Sequence, residues 1–390
     1  MRLFLFDVDG VLVHSRAYHI GLKKAVAYFS SALGLGDHTL TQADIDAFEA
    51  ATVTVEWELS AIAVARMLID RLRAAPPETP LPDTFWALAD LLRAHPHPIA
   101  RPDFLALAQA SAQALPGQRP SLAMLERFLE EIAHEPYVTA LNPVLRELLG
   151  HCYDIQRGPT MQIVQAFAVG AEAYRLSYGL PPRLVAESLL ETADSPNLSS
   201  EWRSRLLDLW RSGALGISLY TARPSLPPRE APDLPLGYTP EAEAALKLVG
   251  LEGIPVIAVG RLQYVAERHG LSAEDLVKPS PVHSLAAMGA AVTGLEADSV
   301  GAALRVAQGG PVTGPLVRVA GAEVHVFEDS ASSLRSATRA VALLNDHGLG
   351  VTLTRHGIAP EGSPKVAALS GIADHVWPDV NTALRHVLMN

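Results

Sequence analysis

One cysteine, Cys152, occurs in 390 residues, which excludes an intrachain disulfide and any zinc site built from several thiolates. Such sparing use of cysteine fits a reducing compartment, so a cytoplasmic location is expected. No run of 18 apolar residues is present, and Asp7 and Asp9 interrupt the apolar amino terminus before a signal-peptide core could form. Positive charge is also short: 31 Lys and Arg face 42 Asp and Glu, a formal net charge of −11, and no basic cluster stands out. Neither nucleic acid nor an anionic membrane is therefore expected as a partner, since both are held by clustered cations. A small phosphorylated molecule remains compatible, because a metal and a few local cations can reverse the potential inside one pocket. Lysine is the rarest charge, with Lys23, Lys24, Lys247, Lys278 and Lys365 the whole supply. No fixed-period repeat occurs.

What is present is a long globular chain, 49% hydrophobic and 19% charged, large enough for two domains. Residues 18–210 carry apolar positions at three and four spacing, as in Ile62, Ala65, Leu68, Ile69 and Leu72, broken by proline-bearing segments. No strand is expected there. From Gly216 onward, short β-rich runs at 217–220, 254–259, 324–327, 351–353 and 375–377 alternate with helical stretches. With a further apolar run at 3–6, this pattern predicts an α/β fold, a Rossmann-like, mostly parallel sheet with helices on both faces. The first strand then belongs with the later ones. Residues 1–15 and 206–390 form a discontinuous core, and residues 16–205 form an all-helical insert too long to be a loop.

The chemistry is concentrated where the strands stop. Residues 3–6 end in Asp7-Val8-Asp9-Gly10, two carboxylates at the carboxyl end of a buried strand, where open α/β sheets bind ligands. Their repulsion calls for a hard divalent cation with oxygen ligands, such as Mg²⁺. Residues 217–220 end in Thr221, whose hydroxyl can bond a phosphate oxygen, and Arg223 two positions on can add a bidentate contact. Lys278, a scarce residue type here, lies between two short helical stretches, where an ammonium can neutralise a carboxylate and an incoming phosphate. Residues 323–327 end in Glu328-Asp329-Ser330, repeating the arrangement of the first strand.

These motifs, in this order, resemble those of the haloacid dehalogenase superfamily of phosphohydrolases, the likeness covering residues 1 to about 15 and about 206 to 390. The resemblance implies a cytoplasmic, Mg²⁺-dependent phosphatase that acts on a small phosphorylated metabolite through an aspartyl-phosphate. It implies Asp7 as nucleophile, and Asp9 as the acid and base, with its backbone carbonyl on the metal. Thr221, with Ala222 and Arg223 in the same loop, is implied in substrate binding, Lys278 in charge neutralisation, and Glu328 and Asp329 in metal binding. The insert lies where the family carries a helical cap that sets specificity, but it is far longer than the common cap.

Other readings stay open at this level. A phosphomutase shares every core motif. A phosphonate hydrolase would want a cap lysine, and only Lys23 or Lys24 could serve. A scaffold that uses the insert as its working surface would have no need of the acids. Within the insert, Trp57 is expected to pack and Glu56 and Glu58 to be solvated; His14, just after the first loop, is the histidine expected nearest the site. The oligomeric state is left undetermined.

Overall fold

The structure is a computed structural model that describes residues 1–115 and 117–389. It divides into two compact units, residues 1–15 with 193–390, and residues 16–192.

The first unit is built on six strands: β1 (Arg2–Phe6), β4 (Leu215–Tyr220), β5 (Val256–Ile257), β6 (Glu323–Glu328), β7 (Thr352–Ile358) and β8 (His375–Trp377). They lie in the order β5-β4-β1-β6-β7-β8, and every pairing is parallel. The α/β expectation therefore holds. Alternation along β1 explains the layers: Leu3 and Leu5 pack with helices Val259–Arg268, Pro281–Thr293, Glu296–Ala307 and Ala331–Asp346, whereas Phe4 and Phe6 pack with Ser200–Arg211, Glu241–Val249 and Val380–Met389. Both sheet faces are covered, so the central strand β1 is buried and apolar from Leu3 to Phe6, whereas β7, nearer the edge, carries Thr352, Thr354 and Arg355 and is only partly buried.

Three boundaries differ from expectation. The division between the units falls after Thr192, not after residue 205. The reason is packing: helix Ser200–Arg211 turns Trp202 and Leu206 into the cluster around Leu215 and Ile217, and a two-residue strand, β3 (Ser195–Pro196), pairs antiparallel with β2 (Val13–His14). That β3 pair lies inside the stretch expected to be free of strand; its proline and two-residue length leave no periodicity to read. The expected strand at 254–259 shortens to β5 because Val259 already opens a helix, and the one at 351–353 lengthens to Ile358.

The second unit is helical, as expected. Helices Ala17–Ala32, Glu56–Ala74 and Pro159–Val169 contribute Val26, Phe29, Ile62, Leu68 and Ile163 to one core. Glu58 is not solvated. It is buried, accepting from the Ser121 backbone N–H at 2.9 Å and the Tyr153 hydroxyl at 2.9 Å, so it serves the start of helix Pro120–Glu131. Trp57 packs edge-on against Tyr153, as expected of a core aromatic. Helix Val138–Leu145 contains Pro143 and continues into a π-helical turn, Arg146–Gly150.

Candidate active site

Register brings the site together. Phe6 is paired with Leu219 on one side and Phe327 on the other, so the next residues, Asp7, Tyr220 and Glu328, stand abreast at the carboxyl edge of the sheet. Asp7 continues the ladder by one bond, its N–H donating to the Phe327 carbonyl at 3.0 Å. The chain then turns at Gly10, whose φ is +77°. A side chain there would also run into the Asp329 carboxylate, so glycine is required twice over.

Asp7, Glu328 and Asp329 each bring one carboxylate oxygen within 4.8 Å of the others. Lys278 Nζ bridges Asp7 Oδ1 at 2.7 Å and Glu328 Oε1 at 2.5 Å, and lies 4.5 Å from the centre of the Tyr220 ring. Glu328 Oε2 also accepts the backbone N–H groups of Asp329 and Ser330 at 3.1 and 3.2 Å, which fixes the turn into the following helix. Burial favours the neutral lysine, but the Asp7 and Glu328 carboxylates outweigh it, so the ammonium is held charged well above its ordinary range. Burial and the Glu328 charge push the Asp7 carboxyl well up despite Lys278. Asp329 is raised by burial against the pull of Lys365.

Asp9 stands apart from this group. Its carboxylate is forked by Arg223, with Nε at 3.0 Å from Oδ2 and Nη2 at 2.6 Å from Oδ1, and it accepts from the Ser15 hydroxyl. Desolvation works to raise Asp9, and Arg223 and Ser15 overcome it, so the group is held ionised below the usual carboxylate range. Arg223 is itself buried and donates in addition to Asp194 Oδ2 at 2.9 Å. The expectation that Arg223 grips a phosphate is therefore corrected: its fork is filled by Asp9 and Asp194. Asp194 was hidden from sequence reasoning because it sits in the connection assigned to the insert. The side chain of Asp9 does not join the carboxylate group of Asp7, Glu328 and Asp329.

Thr221 is buried at the end of β4, where its oxygen accepts the Arg223 N–H at 3.2 Å and its proton is left to donate. Ala222 is exposed between them. Lys365, after β7, forms an ion pair with Asp329 Oδ2. Only its rarity could have marked it. A cavity of about 260 Å³ opens beside Asp329 and Lys365 and is lined also by His14, Ser363 and Asp379. His14 thus lies at the site, as expected.

His283 holds Lys278 in place: its Nδ1 accepts the Lys278 backbone N–H at 3.1 Å, and its Nε2–H donates to the Ile257 carbonyl at 2.9 Å. The first of these bonds needs the neutral ring, because a protonated Nδ1 cannot accept. Burial and the Lys278 charge push its pKa down to about 3, and burial with neighbouring histidines does the same to His356 on β7, also to about 3. An unfolded histidine gains its proton near pH 6.5. The stability these rings confer is therefore complete above that pH and falls as pH drops towards 3, by about 1.4 kcal/mol per pH unit for each. Asp7, raised on folding, has the opposite sign. The urea midpoint is expected to fall between pH 7 and pH 4.5, and His356→Gln to flatten the slope; a midpoint that rises on acidification would contradict this.

No family model matches the chain, and no curated protein matches it. Among solved structures, it is similar to a structural-genomics target determined by X-ray crystallography, at 15% identity over 100% of both chains with a TM-score of 0.66. A phosphatase from Thermococcus thioreducens aligns at 13% identity over 95% of this chain and 98% of its own, with a TM-score of 0.42. A hydrolase from Pseudomonas syringae aligns at 13% identity over 99% and 98%, with a TM-score of 0.32. The first likeness shows a shared fold; the other two superpose too loosely to bear on the argument. Among the described residues, no helix is long and apolar enough to cross a membrane.

Proposed function

We propose that the first unit is a Mg²⁺-dependent phosphohydrolase of the haloacid dehalogenase type, acting on a small phosphorylated metabolite through an aspartyl-phosphate on Asp7. The observation that carries this is the charge balance at the strand ends. Five carboxylates, Asp7, Asp9, Asp194, Glu328 and Asp329, face three cations, Lys278, Arg223 and Lys365. Two negative charges are left over among crowded hard oxygen ligands, which suits one divalent cation.

Asp7 and Asp329, with Glu328 behind them, would hold the metal, which would supply Lewis-acid neutralisation of phosphate charge. In the first step an Asp7 oxygen forms a bond to phosphorus as the ester P–O bond breaks, and the leaving alkoxide takes its proton from solvent water. Lys278 opposes the burial and the neighbouring acids that raise Asp7, which lowers the cost of the ionised nucleophile, and with the Thr221 hydroxyl it faces the phosphoryl oxygens. Because Arg223 holds Asp9 as a carboxylate, Asp9 is better disposed to take a proton from the water that cleaves the aspartyl-phosphate than to give one to the leaving group. Asp9→Asn is therefore expected to slow hydrolysis of alkyl phosphates and p-nitrophenyl phosphate to similar extents; a loss confined to the poor alkyl leaving group would assign it the acid role instead.

The deciding experiment is a turnover panel of sugar, nucleotide, amino-acid and organic-acid phosphates with Mg²⁺. Release of phosphate from at least one class is expected, and none from any would refute the proposal.

Lys365 bears on the same reading. Its ammonium occupies the Asp329 oxygen on the cavity side, so it competes with a cation for that ligand. Lys365→Met is expected to tighten Mg²⁺ binding by about tenfold, the scale of one lost charge repulsion near a surface. Titration calorimetry on the full chain reads this directly, and unchanged or weaker binding would show that Lys365 does not compete.

A further inference from the structure

The helical unit carries a cleft of about 540 Å³ lined by Trp86, Arg146, Glu147, His151, Arg157 and Arg183, together with Pro143, Gln156 and Gln162. Three arginines on one cleft are unusual in a chain of net charge −11. None of them has a carboxylate partner among the described residues: Arg146 donates to the Asn142 amide oxygen at 2.7 Å, Arg183 stacks on Trp86 with its guanidinium carbon 3.9 Å from the ring centre, and the Arg157 guanidinium makes no ion pair. Arg66 and Arg73 of the same unit, by contrast, are matched by Glu131. The one carboxylate in the cleft, Glu147, is engaged with the Phe85 N–H at 2.8 Å, at the first turn of helix Phe85–Ala94.

The backbone adds a second, independent sign. Arg146 and Glu147 project from the π-helical turn Arg146–Gly150, a rare geometry that recurs where side chains are re-aimed for function.

We infer that this cleft of the helical unit binds the phosphate group of a small molecule. Three guanidiniums less one carboxylate leave two positive charges, which matches a phosphate dianion, and planar guanidinium forks suit its oxygens. The volume accommodates a metabolite, not only an ion. Trp86, with Arg183 on its face, lies where binding must alter the ring's surroundings.

The inference does not depend on the proposed hydrolase activity, and its readout is local. The full-length protein labelled with 5-fluorotryptophan, with the Trp86 signal assigned by Trp86→Phe, is titrated with inorganic phosphate at constant ionic strength. A saturable shift of the Trp86 resonance is expected, weakened about tenfold in Arg157→Gln and again in Arg183→Gln, as loss of a charge-assisted contact predicts. Both arginines are exposed, so the fold is not at stake in these variants. Succinate, a dianion without phosphate oxygens, serves as the comparison arm. No shift with phosphate, an equal shift with chloride, a response to succinate alone, or a shift unaltered by the arginine substitutions would each overturn the inference.

Discussion

Asp7→Asn is expected to lower phosphate-ester turnover by about four orders of magnitude, the scale found when an acidic member of a catalytic set is removed, while leaving the fold intact. The amide cannot form the acyl-phosphate. The structural cost is small, because Asp7 sits at the strand's end, beyond the buried run Leu3 to Phe6. Lys278 also keeps Glu328 as a partner, so no unpaired buried ammonium is created. Burial and the neighbouring acids already push the Asp7 carboxyl up, which means the ionised group is tolerated here rather than favoured. The thermal midpoint should accordingly change little or rise. Activity above a tenth of wild type, with near-ultraviolet dichroism unchanged, would rule out the covalent route.

Chelation is expected to have an effect of similar size. EDTA should abolish turnover and added Mg²⁺ restore it, because Asp7, Glu328 and Asp329 crowd their oxygens within 4.8 Å and, among the described residues, Lys278 and Lys365 alone form ion pairs with them. Asp329→Ala should raise the Mg²⁺ concentration needed for half-maximal activity by about a hundredfold or more, the scale of removing a hard oxygen ligand together with its charge. Titration of activity against free Mg²⁺ measures both. Full activity in chelator would remove the reason for this carboxylate group and with it the proposed chemistry.

The α/β architecture was legible because buried parallel strands must be apolar on both faces, and such runs are short and easily seen. The positions of Asp7, Glu328 and Thr221 were legible for a related reason: polar residues that end an apolar run mark the sheet's edge, and parallel strands bring their carboxyl ends to one side. In the sequence, Thr239-Pro240-Glu241 and Gly250 flank an apolar stretch as helix start and stop signals, and the structure places Pro240, not Thr239, at the cap position of helix Glu241–Val249 and ends it at Gly250 with φ +69°. Local signals of that kind locate an element to within a residue or two.

The partner of each charge was not legible. Arg223 could be placed beside the site by its distance from a strand end, but whether its fork would meet a phosphate or a carboxylate depended on Asp194, twenty-nine residues away in the chain. Lys365 meets Asp329 across thirty-six residues and two elements, and the three arginines of the helical cleft come from three separate segments. The buried placement of Glu58 was equally out of reach, since the Ser121 and Tyr153 groups that satisfy it lie sixty-three and ninety-five residues on.

The sequence by itself determined which residues stand at strand ends, because hydrophobic burial acts on every residue according to its own chemistry and leaves a local pattern. Only the tertiary structure decided that Asp9 is clasped by Arg223, that Lys278 bridges Asp7 and Glu328, and that Arg146, Arg157 and Arg183 share a cleft. Electrostatic and hydrogen-bonding energies depend on the distance and direction between two groups, and for groups far apart in the chain those are set by packing alone.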